Sequence, residues 1–530
     1  MTSLVIGEML SIVLLVGAIG ALLLGYPIAF TLPGVALVVA LVGWGLGAFD
    51  PSYFNALPLR YWGIVTNDVL IAVPLFVIMG VTLERSRIAE DLLTTMGALF
   101  GKLRGGLGLS TVVVATLLAA STGIVGATVV TMGLISLPAM LKAGYDKRMA
   151  SGLICAAGTL GQIIPPSTVL VFLAVILQSA YSQAQMAKGN FQPDTLSVGD
   201  MFAGAFIPGL ILATLYAAWI ALNAWLRPSS APALVVTEEE RAGLGARVVV
   251  ALAPPLILIV SVLGSIVAGI ATPTESASVG AVGALVLALV KAIADHHLEQ
   301  RSRQTVQRTL FYMWSAIILL LIVLGILTGG LGVLTLCTAA LVISAVWVAA
   351  TPGLSRQVGA RLQGVAESSL VITAMVFVIF FGASAFSMVF TRLGGEVLVT
   401  DFLTGLPGGV HGALAMVMLV ILLLGFFLDP FEIIFVVVPI AGPVLLNMGV
   451  DPIWLSILIG INLQTSYLTP PFGFSLFFLR GVAPPEVTTS DIYRGVVPFV
   501  AIQLLCITIV WLYPALATWL PKVIYGGGPG

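Results

Sequence analysis

The sequence predicts an all-helical polytopic membrane protein made of two inverted repeats, each with a re-entrant helical hairpin and a broken transmembrane helix. Three observations carry this prediction. Among 530 residues there are only 22 Lys or Arg and 23 Asp or Glu, 8 % charged, where a soluble domain carries roughly 25 %. Uncharged runs repeatedly reach the roughly 20 residues that a helix needs to cross about 30 Å of hydrocarbon. A stretch near residue 150 also recurs 305 positions later with different flanking charges. With 59 % apolar residues and a formal net charge of −1, a cytosolic enzyme, a disordered chain and a nucleic-acid binder are excluded. Such a chain can neither cover its apolar surface nor offer a basic face.

The elements follow in order. Met1 to Glu8 contain no Lys or Arg, so the first apolar run is expected as a retained helix and not a cleaved signal. Residues 9–49 hold two spans separated at Gly25-Tyr26-Pro27, and a third follows Asp68; residues 1–83 form one group. Residues 84–104 interleave charges with Leu92, Leu93 and Met96, the pattern of an amphipathic arm lying in the interface. Residues 105–141 are uncharged, between Lys102/Arg104 and Lys142/Lys147/Arg148. Basic flanks stay on the cytoplasmic side, so the run leaves by the face it entered. A helical hairpin fits, its tip at Ser121-Thr122-Gly123; two full spans with a tight turn share the same flanks. Within 149–187, Gly158 to Ser167 contains Pro165-Pro166, which removes two backbone donors and interrupts the helix. Hairpin and broken helix make up residues 105–200. Helices of 201–304 follow, joined at Ala271 to Ser276, then an extra helix pair over 305–352 and a helix and arm over 353–404. A second hairpin and broken helix occupy 405–480, and a last span at 495–518 lies in the segment 481–530. This count leaves both termini outside.

The repeat is specific. At an offset of 305, 11 of the 38 positions from 135 to 172 are identical without a gap, including Gly144/Gly449, Asp146/Asp451, Pro165/Pro470 and Pro166/Pro471. The first copy turns through Lys142, Lys147 and Arg148, the second through Asn447 to Pro452 without a base. One turn is therefore inside and the other outside. Inverted repeats with broken helices near the midplane characterise secondary transporters.

Broken helices leave backbone amides and carbonyls unpaired in a low-dielectric place. Carbonyl ends and hydroxyls suit a hard cation, amide ends a carboxylate. The first copy offers Ser121, Thr122 and Thr128 at the tip, opposite Gly158, Thr159, Gln162 and Ser167. The second offers Gly425, Asp429 and Glu432, opposite Asn462, Gln464, Thr465, Ser466 and Thr469. Any one of these hydroxyls could instead bond its own helix. Carboxylates at the depth of Asp429 and Glu432 are expensive and usually functional, although a protonated or a helix-capping Asp is the alternative for Asp429. For Glu275, after Pro273, capping with Thr272 or Thr274 competes with a transport role. His296, His297 and His411, like Cys155, Cys337 and Cys506, show no catalytic or metal spacing. No enzyme activity is expected. No Walker loop is present, so the driving force is an ion gradient or a partner.

At these residues the chain resembles the large membrane subunit of TRAP transporters (DctM-like), within the ion-transporter superfamily. The matching stretches are Val73 to Phe76, Leu103 to Leu107, Ser121 to Gly126, Gly161 to Ser167, Gly269 to Glu275, Phe427 to Asp429 and Leu468 to Gly473. The resemblance implies an elevator-type, Na⁺-driven importer of organic acids in the bacterial inner membrane, with scaffold and transport domains. It implies a small four-helix membrane subunit (DctQ-like) and a periplasmic substrate-binding protein (DctP-like) as partners. It places Na⁺ at Ser121, Gly158, Thr159, Asn462, Thr465 and Thr469, with Gly126, Gly161, Pro165, Gln464 and Pro470 beside them. A stand-alone Na⁺- or H⁺-coupled carboxylate transporter of the same superfamily is the alternative.

Overall fold

A computed structural model describes residues 3–122, 125–192, 195–234, 244–300, 354–470 and 473–526, with isolated positions between 341 and 348. The expected extra helix pair at 305–352 lies almost wholly outside the described residues. All regular structure among the described residues is helical. Ten helices are long and apolar enough to cross a membrane, or eleven if one bent pair counts as a single span.

The chain begins with α1 (Ser3–Leu23) and α2 (Ile28–Gly45), parted at Gly25, φ 86°. A 3₁₀ turn and α3 (Leu57–Val65) lead into α4 (Asp68–Arg85), with a bend of 54° between them. The sequence reading did not foresee this bend. Asn67 makes it by capping α4, its Oδ1 accepting the Val69 and Leu70 N–H groups. The arm is α5 (Ile88–Phe100), and its Leu92, Leu93 and Met96 are buried as the charge pattern predicts.

The first hairpin is α6 (Gly106–Thr122) and α7 (Val125–Lys142); the first broken helix is α8 (Lys147–Thr159), a 3₁₀ turn at Leu160–Gln162, and α9 (Thr168–Ala187). Then come α10 (Val198–Leu226), α11 (Leu244–Val267) and α12 (Pro273–Gln300). The second half has α13 (Leu354–Arg392), the arm α14 (Gly395–Thr404) and the hairpin α15 (Gly409–Leu424) and α16 (Pro430–Asn447). Its broken helix is α17 (Pro452–Leu468) and α18 (Phe474–Val482), followed by α19 (Thr489–Leu512) and α20 (Ala515–Tyr525).

The last span therefore ends at Leu512, not at 518. Pro514 cannot continue the helix, and α20 is a separate short helix packed on α10. Both arms leave their preceding helix through a left-handed residue, Arg87 (φ 62°) and Gly394 (φ 86°). That shared corner is a second trace of the repeat, and identity at a fixed offset did not show it.

Hydrogen bonds fix the two orientations. The Gly105 N–H donates to Ala231 O (2.9 Å), Asp146 N–H to Ser230 O (2.9 Å) and Leu234 N–H to Gly101 O (2.7 Å). Both ends of the first hairpin thus meet one loop, so the hairpin enters and leaves by one face. At the far end of α9, Lys188 Nζ donates to Leu446 O (3.4 Å) at the end of α16. The second hairpin therefore opens on the opposite face. The chain returns at Lys147, whose Nζ donates to Glu486 O (2.8 Å), and at Arg148, which pairs with Asp491 (3.5 Å). Lys102, Arg104, Lys142, Arg227, Arg356 and Arg480 lie at this base-rich face; the opposite face holds Arg60, Lys188, Arg392 and Lys522. Gly7 lies against the Leu393 carbonyl and Gly199 against the Tyr525 hydroxyl. Both described ends of the chain are thus on the base-poor face.

The packing is crossed between halves. Helix α9 packs mainly on α16, and α18 on α7, so the second piece of each broken helix lies on the other copy's hairpin. Of the first pieces, α8 packs mainly on α19 of the other half, whereas α17 packs mainly on α19 and α15 of its own half and also touches α10. At the α8–α19 crossing Gly152 faces the Gly495 carbonyl, and Gly495 faces the Arg148 carbonyl, so a side chain at either glycine would collide with backbone. Small residues at such crossings let membrane helices approach closely. Helices α4, α12 and α13 pack together, with α2 on α13 and α11 on α12, and they meet the hairpins through α4 on α6 and α13 on α16.

Candidate functional site at the two interrupted helices

The first break is held from three sides. Gly158 abuts Val129 of α7, Gly161 lies opposite Ala119 of α6, and Ile163 reaches Gly460 of α17. Ala119 and Val129 flank the hairpin tip, so the tip ends at the level of the break and does not run on as a full span. Re-entrant backbone at membrane depth is tolerated only when protein buries it, and Thr159, Gln162, Pro165 and Ser167 are all buried. Gly126 is seated on the Phe478 ring of α18, which links the first tip to the second broken helix. Thr128 is buried one turn beyond the tip. Ser121 and Thr122 end α6, with their side chains outside the described residues.

Several hydroxyls are bonded to their own helices, the alternative left open above. Thr159 Oγ1 donates to Ala156 O (2.8 Å), Thr465 to Ile461 O (3.1 Å), Ser466 to Asn462 O (3.0 Å) and Thr469 to Thr465 O (2.7 Å). Their protons are thereby occupied, while oxygen lone pairs remain for a cation. Ser167 donates to Gln162 O (2.6 Å) and accepts the Leu170 N–H, capping α9.

The second break differs. Thr469 leaves the helix with φ −92° and ψ 125°, and Pro470 follows. Gly473 (φ 34°) sits so close to the Tyr467 and Thr469 carbonyls that a Cβ would touch both. Helix α18 therefore starts without a side-chain cap, which leaves its amide end available to an anion. Nearby, Ser475 Oγ is buried without a hydrogen-bond partner among the described residues. Gly425 lies against Ser466, where any side chain would overlap, and Asn462 Nδ2 donates to Met418 O of α15 (2.7 Å).

Asp429 and Glu432 form a capping box at the start of α16. Asp429 Oδ1 accepts the Phe431 N–H (3.0 Å), and Glu432 Oε2 accepts the Asp429 N–H (3.0 Å). The second Asp429 oxygen accepts the Tyr467 hydroxyl (2.8 Å). No ion pair to either carboxylate occurs among the described residues. Glu275 also belongs to a capping box, with Thr272, at the start of α12. Outside the spans, Asp451 caps α17 through the Trp454 N–H (2.9 Å), and burial pushes its carboxyl above the ordinary range.

Three polar residues went unrecognised in the sequence. Tyr467 occupies the position that the offset pairs with Gln162, a signal that was present. Gln503 of α19 donates to the Tyr216 hydroxyl of α10 (2.9 Å) and to Thr159 Oγ1 (3.4 Å). Its neighbours are distant in sequence, and no local pattern marks it or Tyr216. Buried polar atoms also remain without partners among the described residues: Gln162 Oε1, Gln503 Oε1, and both amide atoms of Gln464. Unpaired amide oxygens at membrane depth cost free energy unless something binds them. Gln162 beside the carbonyl end of α8 and Gln464 on α17 thus give each broken helix an amide oxygen of the kind a hard monovalent cation takes. No group of three or more His, Cys, Asp or Glu side chains able to hold a metal occurs among the described residues.

Two inverted hairpins against two cross-packed broken helices define a membrane-transporter architecture of the inverted-repeat class. The comparisons agree. The chain belongs to the family described as "Tripartite ATP-independent periplasmic transporter, DctM component", whose model matches residues 15–301 and 292–516. It is 28 % identical to the C4-dicarboxylate TRAP transporter large permease protein DctM of Vibrio cholerae serotype O1, over 96 % of each chain. The corresponding protein of Pseudomonas aeruginosa is 26 % identical over 89 % of this chain and 91 % of its own. Among solved structures, the Alcanivorax borkumensis YdaH transporter shares the fold, with a TM-score of 0.51 and 16 % identity over 90 % of this chain and 89 % of its own.

Proposed function

We propose that the chain is the transporting subunit of a Na⁺-coupled importer of an organic acid. The observation that carries this reading is the oxygen-rich, partly unpartnered donor set where the two broken helices meet the two hairpins. Na⁺ would be held at the first break by Thr159, Gln162 and the carbonyl end of α8 around Gly158, with Ser121 contributed by the hairpin. In the second copy Asn462, Gln464, Thr465 and Thr469 take the same role. The uncapped start of α18 is the place for a substrate carboxylate, because its amides carry the positive end of the helix dipole. The two relatives reported above are C4-dicarboxylate transporter proteins by name, so a dicarboxylate is the substrate class to test first.

The packing supports an elevator motion. Hairpins, broken helices, α10 and α19 interlock, so they move together; α1–α4 and α11–α13 form the frame on which they slide, with α5 and α14 as the connecting arms. On this reading α10 and α19 travel with the transport unit and not with the scaffold expected from the sequence. The base-rich face lies in the cytoplasm by the positive-inside rule, which leaves both termini in the periplasm of an inner-membrane protein. Substrate would arrive on a periplasmic binding protein, and a small membrane subunit would complete the complex.

The test is reconstitution with both partners. Uptake should follow an imposed inward Na⁺ gradient and stop when the gradient is collapsed. A second reading, H⁺ coupling, is favoured by the Asp429–Tyr467–Glu432 group, which holds two carboxylates with no paired base among the described residues. Uptake indifferent to Na⁺ but driven by a proton gradient would select it. Full transport without a binding protein would select the stand-alone alternative.

A further inference from the structure

A narrow cleft, open at its mouth, lies apart from the interrupted helices, between α4, α12 and α13 at the base-rich face. Its polar lining is Thr82, Arg85, Ser86 and Arg361, and aliphatic side chains of α12 and α13 form the rest. Arg85 is seated deliberately by the sequence. Its guanidinium lies over Gly364 of α13, where any side chain would displace it, and Nη2 donates to Ser368 Oγ (2.7 Å). That uses one of its five donors.

Neither Arg85 nor Arg361 has an acidic partner among the described residues. Glu84 acts on the neighbouring Arg85 through its charge but bonds Thr131 of α7, Glu367 is exposed and accepts Gln363 Nε2 (2.8 Å), and Asp91 and Asp295 share Lys291. Ser86 spends its hydroxyl on Leu83 O (2.6 Å). Thr82 does not: its Oγ1 is buried, the residue 1 % exposed, and without a partner. The guanidinium groups of Arg85 and Arg361 and the Thr82 hydroxyl line one cleft, a donor set matched to phosphate oxygens.

The cavity is also more apolar than a free phosphate needs. Leu362 forms its rim at 37 % exposure, and the outward face of α13 continues with Leu370, Val371 and Met375, all exposed. An acyl chain can follow that stripe. We propose that this cavity binds the phosphate ester of an anionic phospholipid of the inner leaflet, headgroup on Arg85, Arg361 and Thr82, chains along α13. Basic pockets between membrane helices on the cytoplasmic side bind such headgroups by the same physics.

The experiment is native mass spectrometry of the full-length chain with dioleoylphosphatidylglycerol or dioleoylphosphatidylcholine, with inorganic phosphate as a competitor. Phosphatidylglycerol should be retained over phosphatidylcholine. Arg85→Gln/Arg361→Gln should weaken retention by roughly tenfold or more, from the loss of two charge contacts. Thr82→Val, close in volume and without the hydroxyl, should weaken it less. It decides the matter if the double variant does not fold. Inorganic phosphate that displaces the lipid in an arginine-dependent way would keep the anion site and overturn the lipid as its occupant. Equal retention by wild type and both variants would overturn the site.

Discussion

Asp429→Asn separates the two roles that Asp429 can have. In the structure one carboxylate oxygen caps α16 through the Phe431 N–H and the other accepts the Tyr467 hydroxyl. Asn is as good an N-cap as Asp, so Oδ1 keeps Phe431. The amide nitrogen cannot accept from Tyr467 and must donate to it instead, which leaves the tyrosine proton to seek another acceptor. The structural cost is about one hydrogen bond, roughly 1 kcal/mol. Asp429→Ala loses the cap as well, a further cost of about 0.5–2 kcal/mol. The prediction is a near-native melting temperature for Asp429→Asn, a lower one for Asp429→Ala, and strongly reduced uptake in both. Adding Tyr467→Phe completes a double-mutant cycle, with a coupling of about 0.5–3 kcal/mol expected for groups in contact. Melting is followed by intrinsic fluorescence and uptake in proteoliposomes. Wild-type uptake by Asp429→Asn would leave capping as the whole role of Asp429 and remove it from the transport mechanism.

The other predictions rest on packing and polar contacts. Gly152→Val should lower stability, since its side chain would meet the Gly495 carbonyl and core overpacking costs about 1–3 kcal/mol; unchanged thermal melting would refute the α8–α19 contact. Gln503→Leu removes the amide donor from the Tyr216 hydroxyl and from Thr159, at about 1 kcal/mol for a lost hydrogen bond. It should also raise the Na⁺ concentration for half-maximal uptake, and an unmoved Na⁺ dependence would make Gln503 purely structural. Arg87→Gly should relieve the left-handed strain at the first arm (φ 62°), a gain of about 1 kcal/mol, read as a higher melting temperature.

How much could be read without coordinates differs from element to element. Composition and run length determined that the chain is helical and membrane-spanning, because crossing hydrocarbon demands long uncharged helices whatever the fold. The prolines at 165–166 and 470–471 determined where two helices break, since a missing amide acts locally. The loss of Lys142, Lys147 and Arg148 from the second copy determined that the copies are inverted, and the Lys188–Leu446 contact agrees. Tertiary structure alone decided which pieces meet. That α9 lies on α16 and α18 on α7 depends on shape across more than 250 residues, which no local pattern carries. It decided that Asp429 shares its carboxylate with Tyr467, and that Gln503 and Tyr216 stand behind Thr159. It also decided that α10 and α19 lock into the broken helices, because two glycines facing each other across a crossing look in sequence like any other glycines in an apolar helix.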